Sequence, residues 1–191
     1  MSLVIAEVTD GAVQMSADTQ LSWTVCKAHS MFENNLKIVK MPHGILMGAA
    51  GDVKAARMLF CHKDWFEELG DEKLCKEFLI MEIVPKLYET LDGEGLLKED
   101  HPAEHPNTFI FAQGDRLFLM NGDFSVQAVP KSIAIGCGKY AAEIVNEYDK
   151  ELPVRERMLK ALRLASKIDN AVGAPYVFID TKKLELEFVE E

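Results

Sequence analysis

The chain has 191 residues, 48% of them hydrophobic and 27% charged, with a formal net charge of −10. That length is enough to close a substantial core in one domain spanning 1–191, and the acidic balance argues against a nucleic-acid or anionic-membrane partner. No apolar run reaches the length of a bilayer span, no export signal opens the chain, and Cys26, Cys61, Cys75 and Cys137 form no CxxC pair, so reduced thiols in a cytosolic protein are expected.

Residues 2–8 (SLVIAEV) predict a strand and 12–17 (AVQMSA) its return, joined by the turn Thr9-Asp10-Gly11. The first strand is apolar on both faces, as a strand covered on both sides should be. Polar and mixed sequence follows from Thr19 to Asn34. LKIVKM (36–41), a Pro42-His43-Gly44 turn and ILMGAAG (45–51) then predict a second hairpin. Asp52 stands where an N-cap would, and Val53, Ala56, Leu59, Phe60 and Phe66 carry a helical period as far as Gly70. A second helix is expected from about Asp71 to Leu91, with Pro85 kinking or breaking it.

Residues 92–106 read as a polar loop, followed by strands at 108–113, 116–121, 124–129 and 132–136. Helices over about 138–150 and 154–171 come next, and strands at 176–180 and 184–189 close the chain. Strands in clusters separated by helix pairs predict an α+β fold. Two antiparallel sheets would stack face to face with helix pairs on both outsides, in an α-β-β-α sandwich.

Several local patterns carry little chemistry. His101 and His105 have the spacing of a helical metal pair, but Pro102 and Pro106 oppose a helix, so a solvated loop without metal is expected. Gly136-Cys137-Gly138 lacks the rest of a GxGxxG cradle and reads as a tight strand-to-helix turn. Cys137 has no histidine after it in the chain, and no Cys/His or Ser/His/Asp triad is supported.

Ser2, Asp18 and Lys37 are more informative together. They fall at strand starts and ends, which would meet if the first two hairpins were neighbours in one sheet. A buried Lys37–Asp18 pair is the plain reading. Beside a hydroxyl nucleophile, the same lysine would lower the pKa of a neighbouring base.

Five stretches, "ADTQLSW", "NLKIVKM", "GILMGAAGDVKAARML", "AIGCGKYAAEI" and "ALRLASKIDNAVGAPYVFIDT", taken in order and spacing, resemble the proteasome β-subunit group, with the bacterial HslV peptidase its nearest relation. The resemblance spans almost the whole chain and implies the same α-β-β-α order. It implies an N-terminal nucleophile (Ntn) hydrolase in which Ser2, freed by removal of Met1, attacks a peptide carbonyl. Its own α-amine would be the base, Lys37 would tune both groups, and Asp18 would hold Lys37. By the same resemblance the Gly51 N–H would donate to the oxyanion, Cys137 would stand where the family has a serine near the terminal amine, and Asp169 would match the Asp after the last helix. No cofactor or metal is implied. The expected partners are a peptide or unfolded-protein substrate, other copies of the chain in a ring, and a separate ATP-dependent unfoldase.

The sequence also departs from the family. Ser-Leu replaces the usual Thr-Thr start, Val172 replaces a serine, Cys137 is a weaker donor than a hydroxyl, and the stretch from Cys26 to Asn34 is longer than in HslV. No propeptide is seen, so exposure of Ser2 would depend on removal of Met1; with Met1 attached, the Ser2 nitrogen is an amide and cannot act as a base. Two other readings therefore stand beside the peptidase. One is a non-catalytic ring subunit that keeps Lys37 and Asp18 as a plain ion pair; the other is an Ntn amidase acting on a small molecule.

Overall fold

A computed structural model describes residues 2–23, 26–29, 36–97 and 104–190. Its strands are β1 (Val4–Thr9), β2 (Ala12–Asp18), β3 (Gln20–Trp23), β4 (Cys26–His29), β5 (Ile38–Lys40), β6 (Leu46–Ala50), β7 (Thr108–Gln113), β8 (Arg116–Met120), β9 (Val126–Ala128), β10 (Ser132–Ile135), β11 (Tyr176–Asp180) and β12 (Glu187–Val189). They form two five-stranded antiparallel sheets, ordered β10-β1-β2-β11-β12 and β5-β6-β7-β8-β9, and β3 pairs with β4 in a separate hairpin.

Strand alternation builds the layers. Val4, Ala6, Met15 and Ala17 of the first sheet meet Leu46, Ile110, Ala112 and Leu119 of the second in a core between the sheets. The opposite faces are apolar too. Met47, Phe109, Phe111 and Met120 pack under helices α1 (Val53–Cys61) and α4 (Val84–Gly93), while Leu3, Ile5 and Phe178 pack under α5 (Lys139–Tyr148) and α6 (Val154–Ile168). Three cores separate four layers, which is the expected α-β-β-α sandwich. Gly48 leaves room for the facing sheet: a Cβ there would stand 2.9 Å from both Met15 Cε and Val4 Cγ1.

Three expectations need correction. The first two hairpins do not share a sheet, since β1–β2 belong to the first and β5–β6 to the second. The helix expected to run from Asp52 to Gly70 breaks at His62, whose ring stacks on Trp65 at 4.1 Å between α1 and the short α2 (Asp64–Glu67). The next helix begins at Lys76 rather than Asp71, because Cys75 caps it through its sulfur. It runs as α3 (Lys76–Phe78), a π-helical turn (Leu79–Ile83) and α4, with Pro85 in the first turn of α4. A proline lacks the N–H and crowds the carbonyl four residues back, and the wider π turn just before it absorbs both defects.

Candidate active site

The β1–β2 register fixes where Ser2 lies. Val4 pairs with Ala17, and beyond that pair the Leu3 N–H donates to Asp18 Oδ1 at 2.8 Å while the Asp18 N–H donates back to the Leu3 carbonyl at 3.3 Å. Ser2 therefore sits one residue past the end of the ladder, buried, beside the carboxylate of Asp18.

Lys37 arrives from the other sheet. It precedes β5, its carbonyl accepts from Ala49 N–H at 2.9 Å, and its Nζ reaches Asp18 Oδ2 at 2.7 Å. Neither side chain is open to water, at 7% and 0% exposure. Asp18 Oδ2 also accepts from the backbone N–H groups of Gln20 at 3.2 Å and Gly173 at 3.4 Å. Removal from water disfavours both charges: it lowers the Lys37 pKa and raises that of Asp18, against the attraction of each for the other. Burial and the Asp18 carboxylate thus act on Lys37 in opposite directions, and the 2.7 Å contact holds its Nζ at the mouth of the Ser2 site.

Gly51 follows β6 with φ at +129°, and a Cβ there would overlap the Pro106 carbonyl oxygen, so only glycine fits this turn. Asp52 caps α1 as expected, accepting from the Ala55 N–H at 3.0 Å. Ser2, Lys37 and Gly51 line one cleft, of about 490 Å³ counted to its open mouth, floored by Leu36, Ala49 and Phe60.

On the other side of Ser2, the Cys137 thiol and the Gly138 N–H both donate to the Ser2 carbonyl at 3.4 Å. Gly136, at φ +96°, lets the turn come this close, because a Cβ would overlap the same carbonyl oxygen. Burial pushes the Cys137 thiol above its usual range, and the neighbouring Asp169 carboxylate pushes it further the same way. Asp169 itself ends α6, and its Oδ1 accepts from the Ala171 N–H at 2.8 Å. That tight turn delivers the Gly173 N–H to Asp18. Val172, where the resemblance places a serine, is buried in the apolar cluster of Leu3, Ile5 and Leu162.

All six candidate residues therefore surround the start of β1. His101 lies outside the described residues, as do positions 30–34 of the stretch longer than in HslV. His105 was expected in a solvated loop and is instead buried, with Phe109 and Phe124 against its ring. Among the described residues, no three His, Cys, Asp or Glu groups are placed to hold a metal. Sequence reasoning missed Gln20, whose side chain donates to the Asn170 carbonyl at 2.6 Å, and the backbone donor Gly173. The glycine closing Asp-x-x-x-Gly was a readable signal for the second; nothing marked the first.

Compared by sequence, the chain matches no protein-family model and no curated protein. By structure it resembles the BPH protein of Thiobacillus denitrificans in complex with epoxomicin (TM-score 0.73, 18% identity, 96% of this chain and 99% of that one). The same protein solved without mention of that compound gives TM-score 0.73 and 19% identity over 96% of this chain and 98% of that one. The eukaryotic HslV of Trypanosoma brucei follows, with TM-score 0.65 and 16% identity over 99% of both chains. The chain has the fold that these proteins share.

Proposed function

We propose that the chain is an Ntn hydrolase of the proteasome β-subunit and HslV type, acting on peptide bonds with Ser2 as nucleophile once Met1 is removed. The observation that carries this reading is the convergence of Ser2, the buried Lys37–Asp18 pair and Gly51 on one cleft. In the reaction, the free α-amine of Ser2 takes the proton from Oγ as Oγ bonds to the substrate carbonyl carbon. The carbonyl oxygen becomes an oxyanion facing the Gly51 N–H. Collapse breaks the C–N bond, the departing amine leaves with the proton from the α-ammonium, and the acyl group remains on Ser2 as an ester. Water, deprotonated by the same amine, then hydrolyses that ester. Throughout, Lys37 holds positive charge near the amine and keeps its pKa low enough to accept and return a proton.

Copies of the chain are proposed to associate into a ring, with a separate ATP-dependent unfoldase as supplier of unfolded protein. Two surfaces support self-association. Tyr140, Ile144 and Tyr148 form an exposed ridge along α5, flanked by Glu143 and Glu147, and α6 offers a groove lined by Leu159 and Leu164 whose rim carries three basic residues, Lys160, Arg163 and Lys167, and one acid, Glu156. An apolar ridge with acidic flanks complements an apolar groove with a mostly basic rim.

The test is Ser2→Ala, which should abolish hydrolysis of small peptides while leaving assembly intact. Full residual activity would sink the assignment. The buried Val172 favours a second reading, a non-catalytic ring subunit, since an apolar side chain stands where a hydroxyl would contact the terminal amine. The intact mass of natively expressed protein separates the two: loss of one methionine exposes Ser2, and quantitative retention favours the non-catalytic subunit.

A further inference from the structure

Behind the Gly51–Asp52 turn lies a buried polar segment that neither the sequence patterns nor the family resemblance assigns to the site. We propose that Asn107 is a positioning residue for the oxyanion donor, holding the Gly51 N–H in place from the rear. The inference rests on the Ntn reading above, because only that reading gives the Gly51 N–H work to do.

Three observations carry it. The Asn107 side chain, 2% exposed, donates through Nδ2 to the Asp52 carbonyl at 2.9 Å. That carbonyl also accepts the first helical N–H of α1, from Ala56 at 3.1 Å, so one oxygen ties the turn to both the helix and Asn107. The amide cannot be turned around, because Oδ1 would then oppose another acceptor. Next, the backbone of 106–107 is the wall against which Gly51 is folded: a Cβ on Gly51 would come within 2.8 Å of Asn107 Cα and 3.0 Å of its Nδ2. Residues 106–107 thus fill the space a side chain would need at Gly51, so a shift of Asn107 opens room for the peptide that carries the donor to move.

Asn107 is itself held. Its N–H donates to His105 Nδ1 at 3.2 Å, and the His105 N–H donates to the Gly122 carbonyl at 2.8 Å. The His105 ring stands edge-on to Phe124, with centroids 4.5 Å apart. Phe124 is at φ +63°, a conformation aromatic residues seldom adopt, and such outliers persist only where surrounding contacts impose them. Asn107 Oδ1 is buried without a hydrogen-bond partner among the described residues.

The experiment compares wild type, Ser2→Ala, Asn107→Ala and His105→Phe in two readouts: steady-state hydrolysis of a fluorogenic peptide, and amide hydrogen exchange over residues 49–56. Asn107→Ala should lower kcat about tenfold or more, less than outright loss of an oxyanion donor. KM should stay within about twofold, because the donor acts on the transition state. Exchange at Ala55 and Ala56, whose amides are held by Asp52, should quicken by about tenfold while the β1–β2 amides stay protected. His105→Phe keeps an aromatic ring in place and removes the Nδ1 acceptor along with the second ring nitrogen, so it should move both readouts the same way by less; it also serves if Asn107→Ala fails to fold. Unchanged exchange over 49–56, or a kcat within about twofold of wild type, would overturn the proposal. If wild type hydrolyses nothing, or Ser2→Ala is as active as wild type, the Ntn reading fails instead, and the exchange readout alone decides whether Asn107 positions the turn.

Discussion

Lys37 and Asp18 close a 2.7 Å ion pair across the two sheets, each side chain buried and each attached to a different layer of the sandwich. The pair serves two roles that mutation can separate. Lys37→Met leaves an unpaired carboxylate in the interior and should destabilise the fold by about 3–5 kcal/mol, whereas Lys37→Met with Asp18→Asn should restore most of that. Neither protein should hydrolyse peptides, because the charge that tunes the amine is gone. Denaturant titration and a peptide assay on the two variants check this; recovery of activity together with stability would make the pair structural only.

Cys137 is poised as a donor to the Ser2 carbonyl, and burial together with Asp169 keeps it a thiol. The thiolate is the form that alkylates. Iodoacetamide at neutral pH should therefore modify the exposed Cys61 well before Cys137, as peptide mapping by mass spectrometry would show. Cys137→Ser, with a stronger donor in the same place, should retain activity.

His105 is held neutral by burial, with its pKa lowered from 6.5 to about 4 despite the nearby Asp123, which acts to raise it. The unfolded chain binds this proton near pH 6.5 and the folded chain only near 4, so the contribution of His105 is fully present above 6.5 and is lost as pH falls toward 4. The loss is at most about 3 kcal/mol. His105→Phe should flatten the difference between unfolding free energies measured at pH 7 and about pH 4.5; an identical slope in both proteins would count against a buried neutral imidazole.

The α5 ridge should govern self-association if the chain works as an assembly. Tyr148 is 82% exposed and can take a charge without disturbing the fold. Tyr148→Asp with Ile144→Asp should shift the sedimentation coefficient toward smaller species at unchanged helicity. Sedimentation identical to wild type would place the interface elsewhere.

Much of the fold was legible because its strands are short apolar runs bounded by turn residues. In β7, Phe109 and Phe111 face the helices while Ile110 and Ala112 face the other sheet, and both sets are apolar. The β3–β4 hairpin was missed although Gln20–Trp23 and Cys26–His29 alternate polar and apolar residues, because no glycine or proline marks a turn between them. The break at His62 depends on a ring stacking on Trp65, which periodicity does not register. Sheet membership was also hidden: local pattern gives hairpins but not which hairpins pair, so Lys37 was expected to meet Asp18 within a sheet rather than across two.

Beyond the six residues named from the resemblance, the surroundings of the cleft were hidden in the sequence. Gly173 contributes a backbone N–H, which only the glycine closing the turn after Asp169 hints at, and the Gln20 backbone donor leaves no mark on residue type. Asn107 and His105 lie in a segment whose prolines and acids suggest solvent, yet both are buried, because the lead into β7 passes directly behind the Gly51 turn.

The central claim is that Ser2 attacks with its own amine as base, and removal of Met1 tests it most directly. Two preparations are needed, identical except that Met1 is retained in one and removed in the other, each verified by intact mass and assayed on the same fluorogenic peptide. Turnover should appear only in the protein that begins at Ser2, and Ser2→Ala should abolish it there. Equal turnover in both preparations would contradict the account.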